Sequence, residues 1–260
     1  MQIHHAFQQS TGHIPSICTI GTFDGVHLGH QQLIRATINE AQARKAQSVV
    51  ITFHPHPRVA LGRGSVSYLT SPQEKAAQMQ QLGVDVLLVL PFTQQTAQTP
   101  ALQFVEWMRT YLDLQSLWIG HDFALGHKRQ GNAAFLSEQG RMHGFAVNVL
   151  PQFSLGSHTI SSTRVRMALA QGNVRDANLC LGRPFRMTCE VHAVQQLCAD
   201  AQHARPAPGR YAVLIDGMPN EVSIAADDLP MGLRQPLTTA MDQKVVAVDF
   251  HDLAVGLPGD

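Results

Sequence analysis

A chain of 260 residues with 44% apolar content can bury one large core or two modest ones. Nineteen Lys and Arg balance nineteen Asp and Glu, so no overall field draws the chain to nucleic acid or to an anionic membrane. A phosphorylated substrate would have to be held by local arginines and helix ends. No apolar run approaches a membrane span, Val86 to Leu90 being representative, and Met1 to Thr11 lacks the apolar middle of a secretion signal. Cys18, Cys180, Cys189 and Cys198 show no Cys-x-x-Cys spacing, which predicts a reduced, cytoplasmic setting.

Apolar runs alternate with helical patterns through the first part of the chain, as in a parallel α/β sheet. Strands are predicted over 16–22, 48–53, 84–90, 116–119 and 146–150, with helices over 31–46, 72–82, 101–112 and 132–143. Ser71 before Pro72, and Thr99 before Pro100, read as helix openings with a hydroxyl cap and a proline in the first turn. Phe104, Trp107, Met108 and Tyr111 recur at helical spacing and predict a core-facing stripe. Two short helices follow over 162–170 and 174–181, split by Gly172-Asn173. Beyond Leu181-Gly182-Arg183-Pro184 the pattern changes. Short alternating runs over 186–194, 211–215, 221–225 and 244–250 predict a small β unit. A boundary at Pro184 divides the chain into domains over 1–184 and 185–260.

The densest signal is Gly21-Thr22-Phe23-Asp24-Gly25-Val26-His27-Leu28-Gly29-His30, placed where the first strand turns into the first helix. Gly21, Gly25 and Gly29 let the backbone turn tightly and approach a ligand. The following helix points unpaired N–H groups and a partial positive charge at the same place, an anion site. His27 and His30 share one face of the first turn and can donate to a phosphate and to the charge that develops on it. No Gly-Lys-Ser/Thr follows, so this is not a Walker loop, and Gly-x-Gly-x-x-Gly is absent from the turn.

Further candidates follow other strand ends, where ligands of open parallel sheets bind. Pro55 and Pro57 hold His56 in a stiff, extended loop after the second strand. Asp122, in Gly120-His121-Asp122-Phe123, can hold a ribose hydroxyl or orient its loop. His127-Lys128-Arg129 is a basic run of the kind that is usually solvated, though its place after the Gly120 loop could bring it to a phosphate. In Ile160-Ser161-Ser162-Thr163-Arg164-Val165-Arg166, hydroxyls cap a helix whose free N–H groups form a second anion site, to which Arg166 adds a planar charged fork. His4, His5, His143, His158, His192 and His203 show no metal-ligand spacing, and no metal ligands are assigned.

The histidine turn resembles the x-Phe-Asp-Gly-x-His-x-Gly-His motif of the nucleotidylyltransferase superfamily. The fuller resemblance, over about seven-tenths of the chain, is to the adenylyltransferase (FAD synthetase) half of bacterial bifunctional riboflavin kinase/FAD synthetases. It is carried also by Thr52-Phe53-His54-Pro55-His56-Pro57-Arg58, Gly120 to Gly126, Ile160 to Arg166 and Leu181-Gly182-Arg183-Pro184-Phe185. One departure is Ala124-Leu125, where a basic or polar residue and a phenylalanine are usual. The resemblance implies a Rossmann-like α/β sheet with a small C-terminal riboflavin-kinase-like barrel, and FMN adenylyltransferase activity that yields FAD and pyrophosphate from ATP and FMN with Mg²⁺. It further implies His27 and His30 at the α-phosphate, Ser162, Thr163 and Arg166 on the β and γ phosphates, Ser161 among the ATP-binding residues, and His56 with its prolines at the adenylate.

The tail departs from the family pattern. Pro208-Gly209-Arg210-Tyr211-Ala212-Val213 and Val248 to Gly256 resemble kinase strands, but the Gly-x-Pro-Thr-x-Asn ATP loop is missing and Lys244 stands where a glutamate base aligns. A degenerate kinase domain without riboflavin kinase activity is expected, serving as a cap, a flavin cover or a dimer surface, so a homo-oligomer stays open. Two alternatives remain on sequence alone: an adenylyl- or cytidylyltransferase for another phosphorylated acceptor, and a non-catalytic flavin or nucleotide binder.

Overall fold

The computed structural model describes residues 1–9, 14–62, 67–156, 158–192, 196–226, 231–237 and 244–253. Their Cα packing forms two compact units, Met1–Val66 with Pro72–Ser154, and Ser67–Ser71 with Leu155–Asp260.

The first unit is a parallel sheet with helices. In chain order it holds β1 (Gln2–His4), β2 (Ser16–Ile20), α1 (Leu28–Arg44), β3 (Gln47–His54), α2 (Pro57–Ala60), α3 (Pro72–Leu82), β4 (Val86–Pro91), α4 (Gln94–Ala97), α5 (Ala101–Leu112), β5 (Leu114–Gly120), α6 (Ala133–His143) and β6 (Ala146–Leu150). The strand order is β1-β4-β3-β2-β5-β6, all parallel. After β2 the chain builds β3 and β4 on one side, then β5 and β6 on the other. The order therefore reverses between β2 and β5, and loops leaving their C-terminal ends border a crevice. β2 and the middle of β3 are buried on both faces, as sheets covered on both sides require. One face packs Cys18, Ile20, Val49 and Ile51 against Phe104, Val105 and Met108 of α5. The other packs Val50 and Leu87 against Ile34 and Ile38 of α1 and Met79 of α3.

The short β1 escaped prediction because three residues give no period; it forms by adding to the edge of β4. α1 starts at Leu28, earlier than the sequence pattern indicates, so His27 is its cap and His30 lies in its first turn. Pro100, not Thr99, occupies the cap position of α5 and makes no side-chain cap bond. Among the described residues no helix is long and apolar enough to cross a membrane.

After a two-stranded ribbon, β7 (Ser154–Leu155) with β8 (His158–Thr159), come α7 (Ser162–Ala170) and α8 (Val174–Leu181). The remaining strands are β9 (Phe185–Val191), β10 (Gln196–Ala199), β11 (Gly209–Ile215), β12 (Met218–Ile224), β13 (Met231–Leu233) and β14 (Val245–Leu253). They close an antiparallel barrel in the order β10-β13-β12-β11-β14-β9. Alternate residues of β9, β11 and β14 turn inward, so Phe185, Met187, Tyr211, Val213, Val248 and Phe250 fill the middle. The two short strands β10 and β13 are not visible in the sequence, since four and three residues are too few to show a period. Val194, at the end of one predicted run, lies outside the described residues.

The compact units part at Ser154, before α7, whereas secondary structure changes character at Pro184. The reason for the difference is local. α8 packs on β14 and β9, and Asn178 accepts from the Phe185 N–H at 2.7 Å while donating to the Phe250 carbonyl at 2.9 Å. Ser67–Ser71 joins this unit because Tyr68 exchanges backbone bonds with Gln202 and Ala204, both 2.7 Å.

Candidate active site

β2 ends at Ile20, and the Gly21 N–H donates to Ile51 of β3 at 3.0 Å. The chain then turns sharply: Phe23, Gly25 and Val26 adopt left-handed φ of 47°, 81° and 42°. For Phe and Val this is an uncommon backbone state that persists only where the surroundings impose it. The Thr22 carbonyl is held by the Thr52 hydroxyl at 3.1 Å and the Lys75 ammonium at 2.7 Å. The Phe23 ring folds back beneath Gly21, where any Cβ would stand 3.1 Å from the ring. Asp24 is buried and faces Lys75.

His27 caps α1, its Nδ1 accepting the His30 N–H at 3.3 Å. That bond places the proton of a neutral His27 on Nε2. The two imidazoles stack with centroids 3.6 Å apart and planes 16° from parallel, and Phe23 meets His30 edge-on at 5.2 Å. Gly29 makes room for the stack, since a Cβ there would meet the His27 ring at 3.3 Å. Burial, the neighbouring His27 and the Lys75 charge, in that order, hold the His30 pKa well below the ordinary 6.5. His30 is therefore neutral at pH 7, and its buried Nδ1 has no hydrogen-bond partner.

A cavity of about 900 Å³ opens beside this turn at the C-terminal ends of the strands. Of the residues singled out in the sequence, Gly21, Phe23, His30, His56, Pro57 and Asp122 line it. His27 stacks behind His30, Gly25 and Gly29 shape the turn, and Asp24 and Pro55 do not line the cavity. His56 is extended, as read, but Pro57 then opens the short helix α2, with His56 Nδ1 accepting from the Arg58 N–H at 3.2 Å. Asp122 is exposed, and its carbonyl accepts from Arg129 at 2.7 Å. His127-Lys128-Arg129, expected to be solvated, lines the cavity too. Leu125, where the family pattern has phenylalanine, is buried in the α5 side of the core, so the loop keeps an apolar anchor.

The sequence assigns no site role of their own to Lys75 and Thr52, which hold the Thr22 carbonyl, or to Phe53, Phe92 and Phe104, which line the cavity. A signal for Lys75 existed. It falls on the helical face of buried Met79 and of Leu82, where a charge is out of place.

In the second unit, Ser161 caps α7, its hydroxyl accepting from the Arg164 N–H at 3.2 Å. Arg164 forks onto Asp176 at 2.6 and 3.1 Å, a structural clamp between α7 and α8. Arg166 donates from Nε to the Ser67 carbonyl at 2.8 Å. Thr163 is exposed and Ser162 half-buried at the same helix start, where N–H groups of the first turn favour an anion.

The FAD synthetase family model matches residues 9–164, more than half the chain. The chain belongs to the FAD synthetase family. A bifunctional riboflavin kinase/FMN adenylyltransferase of Listeria monocytogenes is 36% identical over 66% of this chain and 55% of its own length. That of Haemophilus influenzae is 36% identical over 65% of this chain and 56% of its own. The alignments to these two relatives thus span little more than half of each. The Escherichia coli enzyme of the same description is 30% identical over 90% of this chain and 80% of its own length, so that alignment runs on through the barrel. A solved Streptococcus pneumoniae structure, described as a macrolide-efflux protein, superposes with a TM-score of 0.83 over 100% of this chain and 92% of its own. At 23% identity the likeness is one of fold alone. Both the Rossmann-like sheet and the kinase-like barrel expected of the family are present.

Proposed function

We propose that this FAD synthetase family member transfers AMP from ATP to the terminal phosphate of FMN, giving FAD and pyrophosphate. The observation that carries the reading is the stacked His27–His30 pair at the first turn of α1, beside a cavity at the strand ends. An oxygen of the FMN phosphate attacks the α-phosphorus in line; the bond to the bridging oxygen of the β-phosphate breaks, and pyrophosphate leaves. No covalent enzyme intermediate is required. His27 donates through Nε2, and neutral His30 offers an N–H, to the oxygens on which charge builds. A neutral His30 suits the 3.6 Å stack, because two imidazolium rings at that distance would repel.

In this reading Gly21, Phe23, Asp24, Gly25, Gly29, Pro55, His56, Pro57 and Asp122 shape the ATP site. Ser161, Ser162, Thr163 and Arg166 hold the β and γ phosphates of ATP, which arrives as its Mg²⁺ salt. We take the functional domains as 1–184 and 185–260, in a cytoplasmic setting.

We also propose that the chain lacks riboflavin kinase activity. Only residues 192–195 separate β9 from β10, and Lys244 leads into β14 where the family pattern has its glutamate. An ammonium is a poor proton acceptor beside a carboxylate. The test incubates the protein with Mg-ATP and FMN, riboflavin or phosphopantetheine and separates the products. FAD from FMN alone supports both proposals; a dephospho-coenzyme product would move the reading to another acceptor, and no product to a binding role.

A further inference from the structure

We propose that Lys75 of α3 is a positioning residue that fixes the His27–His30 pair by anchoring the Thr22 carbonyl; the inference rests on the adenylyl-transfer reading of that pair. Thr22 is the last residue before the left-handed run at Phe23, Gly25 and Val26. Its carbonyl accepts from Lys75 at 2.7 Å and from Thr52 at 3.1 Å, so two elements outside the turn set the peptide plane from which the run begins. The effect passes to the histidines through Phe23, whose ring leans on His30 at 5.2 Å. A displaced Thr22 peptide would tilt that ring and, with it, the stack.

Stability does not account for a lysine here. Met79 lies one turn along α3 in the apolar cluster with Phe23, Val26 and Ile34, and Leu82 packs against that cluster. An apolar residue at 75 would extend the same face without desolvating a charge, which is usually the more stable arrangement. Burial pulls the ammonium's pKa down while Asp24 pulls it back up. What the ammonium adds is a donor aimed at one carbonyl and a positive charge near His30. That charge, with His27 on the same turn, opposes protonation of His30. His54, at the end of β3, feels it too. Lys75 therefore holds the place of the imidazole facing the cavity and adds to the burial that keeps it neutral.

The experiment combines steady-state kinetics of FAD formation from Mg-ATP and FMN with NMR titration of the His30 imidazole, in the wild-type chain, Lys75→Met, Lys75→Arg and Thr52→Val. Lys75→Met should lower kcat by ~10–100-fold, the size of effect a misplaced catalytic group produces, with each KM within about threefold. It should also raise the His30 titration by a readable step, while burial and His27 still keep it below the ordinary 6.5. Lys75→Arg, keeping a donor and a charge, should recover most of kcat. Thr52→Val should lower kcat without moving the His30 titration. An unshifted His30 in Lys75→Met, or a kcat loss that follows a fall in Tm and is not recovered by arginine, would overturn the proposal. Were the wild-type chain to make no FAD, the adenylyl-transfer reading would fail by itself, and the titration would still decide whether Lys75 controls His30.

Discussion

The two units put the same rule of alternating side chains to opposite ends. In the barrel, inward residues of β9, β11 and β14 meet in the middle, where the Phe250 ring centroid lies 5.9 Å from that of Phe185 and 5.8 Å from that of Tyr211. In the parallel sheet, apolar residues fill both faces but leave the strand ends open, and there the loops after β2, β3 and β5 surround a cavity of about 900 Å³. Strain is also unequally placed. Left-handed Phe23 and Val26 lead into the histidine turn, while among the described residues of the barrel the one non-glycine with left-handed φ is Asp216, between β11 and β12. The open cavity therefore lies where the sheet stops, while the inward residues of β9, β11 and β14 pack against one another.

That contrast can be broken from either side. The largest expected effect is on the barrel: Phe250→Ala should cost about 3–5 kcal/mol of stability in denaturant unfolding, as large-to-small core changes do. A cost under ~1 kcal/mol would mean the barrel interior is looser than its packing. At the histidine turn, His27→Ala should slow FAD formation by ~10²-fold or more, the loss expected for one donor to a developing charge. Its cost to stability should be only that of a lost cap, about 1 kcal/mol. Near-normal turnover in the folded variant would remove His27 from the mechanism. Arg166→Ala should weaken ATP binding by roughly tenfold, the worth of a charged hydrogen bond, and leave AMP binding nearly unchanged by calorimetry. Equal losses would reassign Arg166 to holding the Ser67 carbonyl.

The smallest effect is on pH dependence. The folded chain resists protonating His30, whereas an unfolded histidine takes its proton below about 6.5. The unfolded state then binds more protons, so this group costs stability as pH falls below that value and contributes nothing above it. His30→Gln should flatten the slope of Tm against pH between about 6.5 and the depressed value; an unchanged slope would place the burden on other groups.

The sheet was legible because its signals are long and periodic. The helices over 72–82 and 101–112 coincide with the observed ones, and β6 matches in full. The histidine turn was legible because glycines, histidines and a strand-to-helix change coincide on one short stretch. What stayed hidden depends on partners distant in sequence. Lys75 gains meaning only when the Thr22 carbonyl, 53 residues earlier, is brought to it. β10 and β13 are strands only because a barrel must close through them. His127-Lys128-Arg129 reads as a surface run until the Gly120 loop folds it over the cavity, with Arg129 tied to the Asp122 carbonyl.

The central claim is that adenylyl transfer resides at the sheet's strand ends and that the barrel carries no kinase. Parallel initial-rate measurements with Mg-ATP, FMN in one arm and riboflavin in the other, test it most directly. The account predicts steady FAD and pyrophosphate formation from FMN, slowed ~10²-fold or more in the His27→Ala protein, and no FMN from riboflavin. ATP-dependent FMN formation from riboflavin at a rate comparable to FAD synthesis, or FAD synthesis undiminished by His27→Ala, would contradict it.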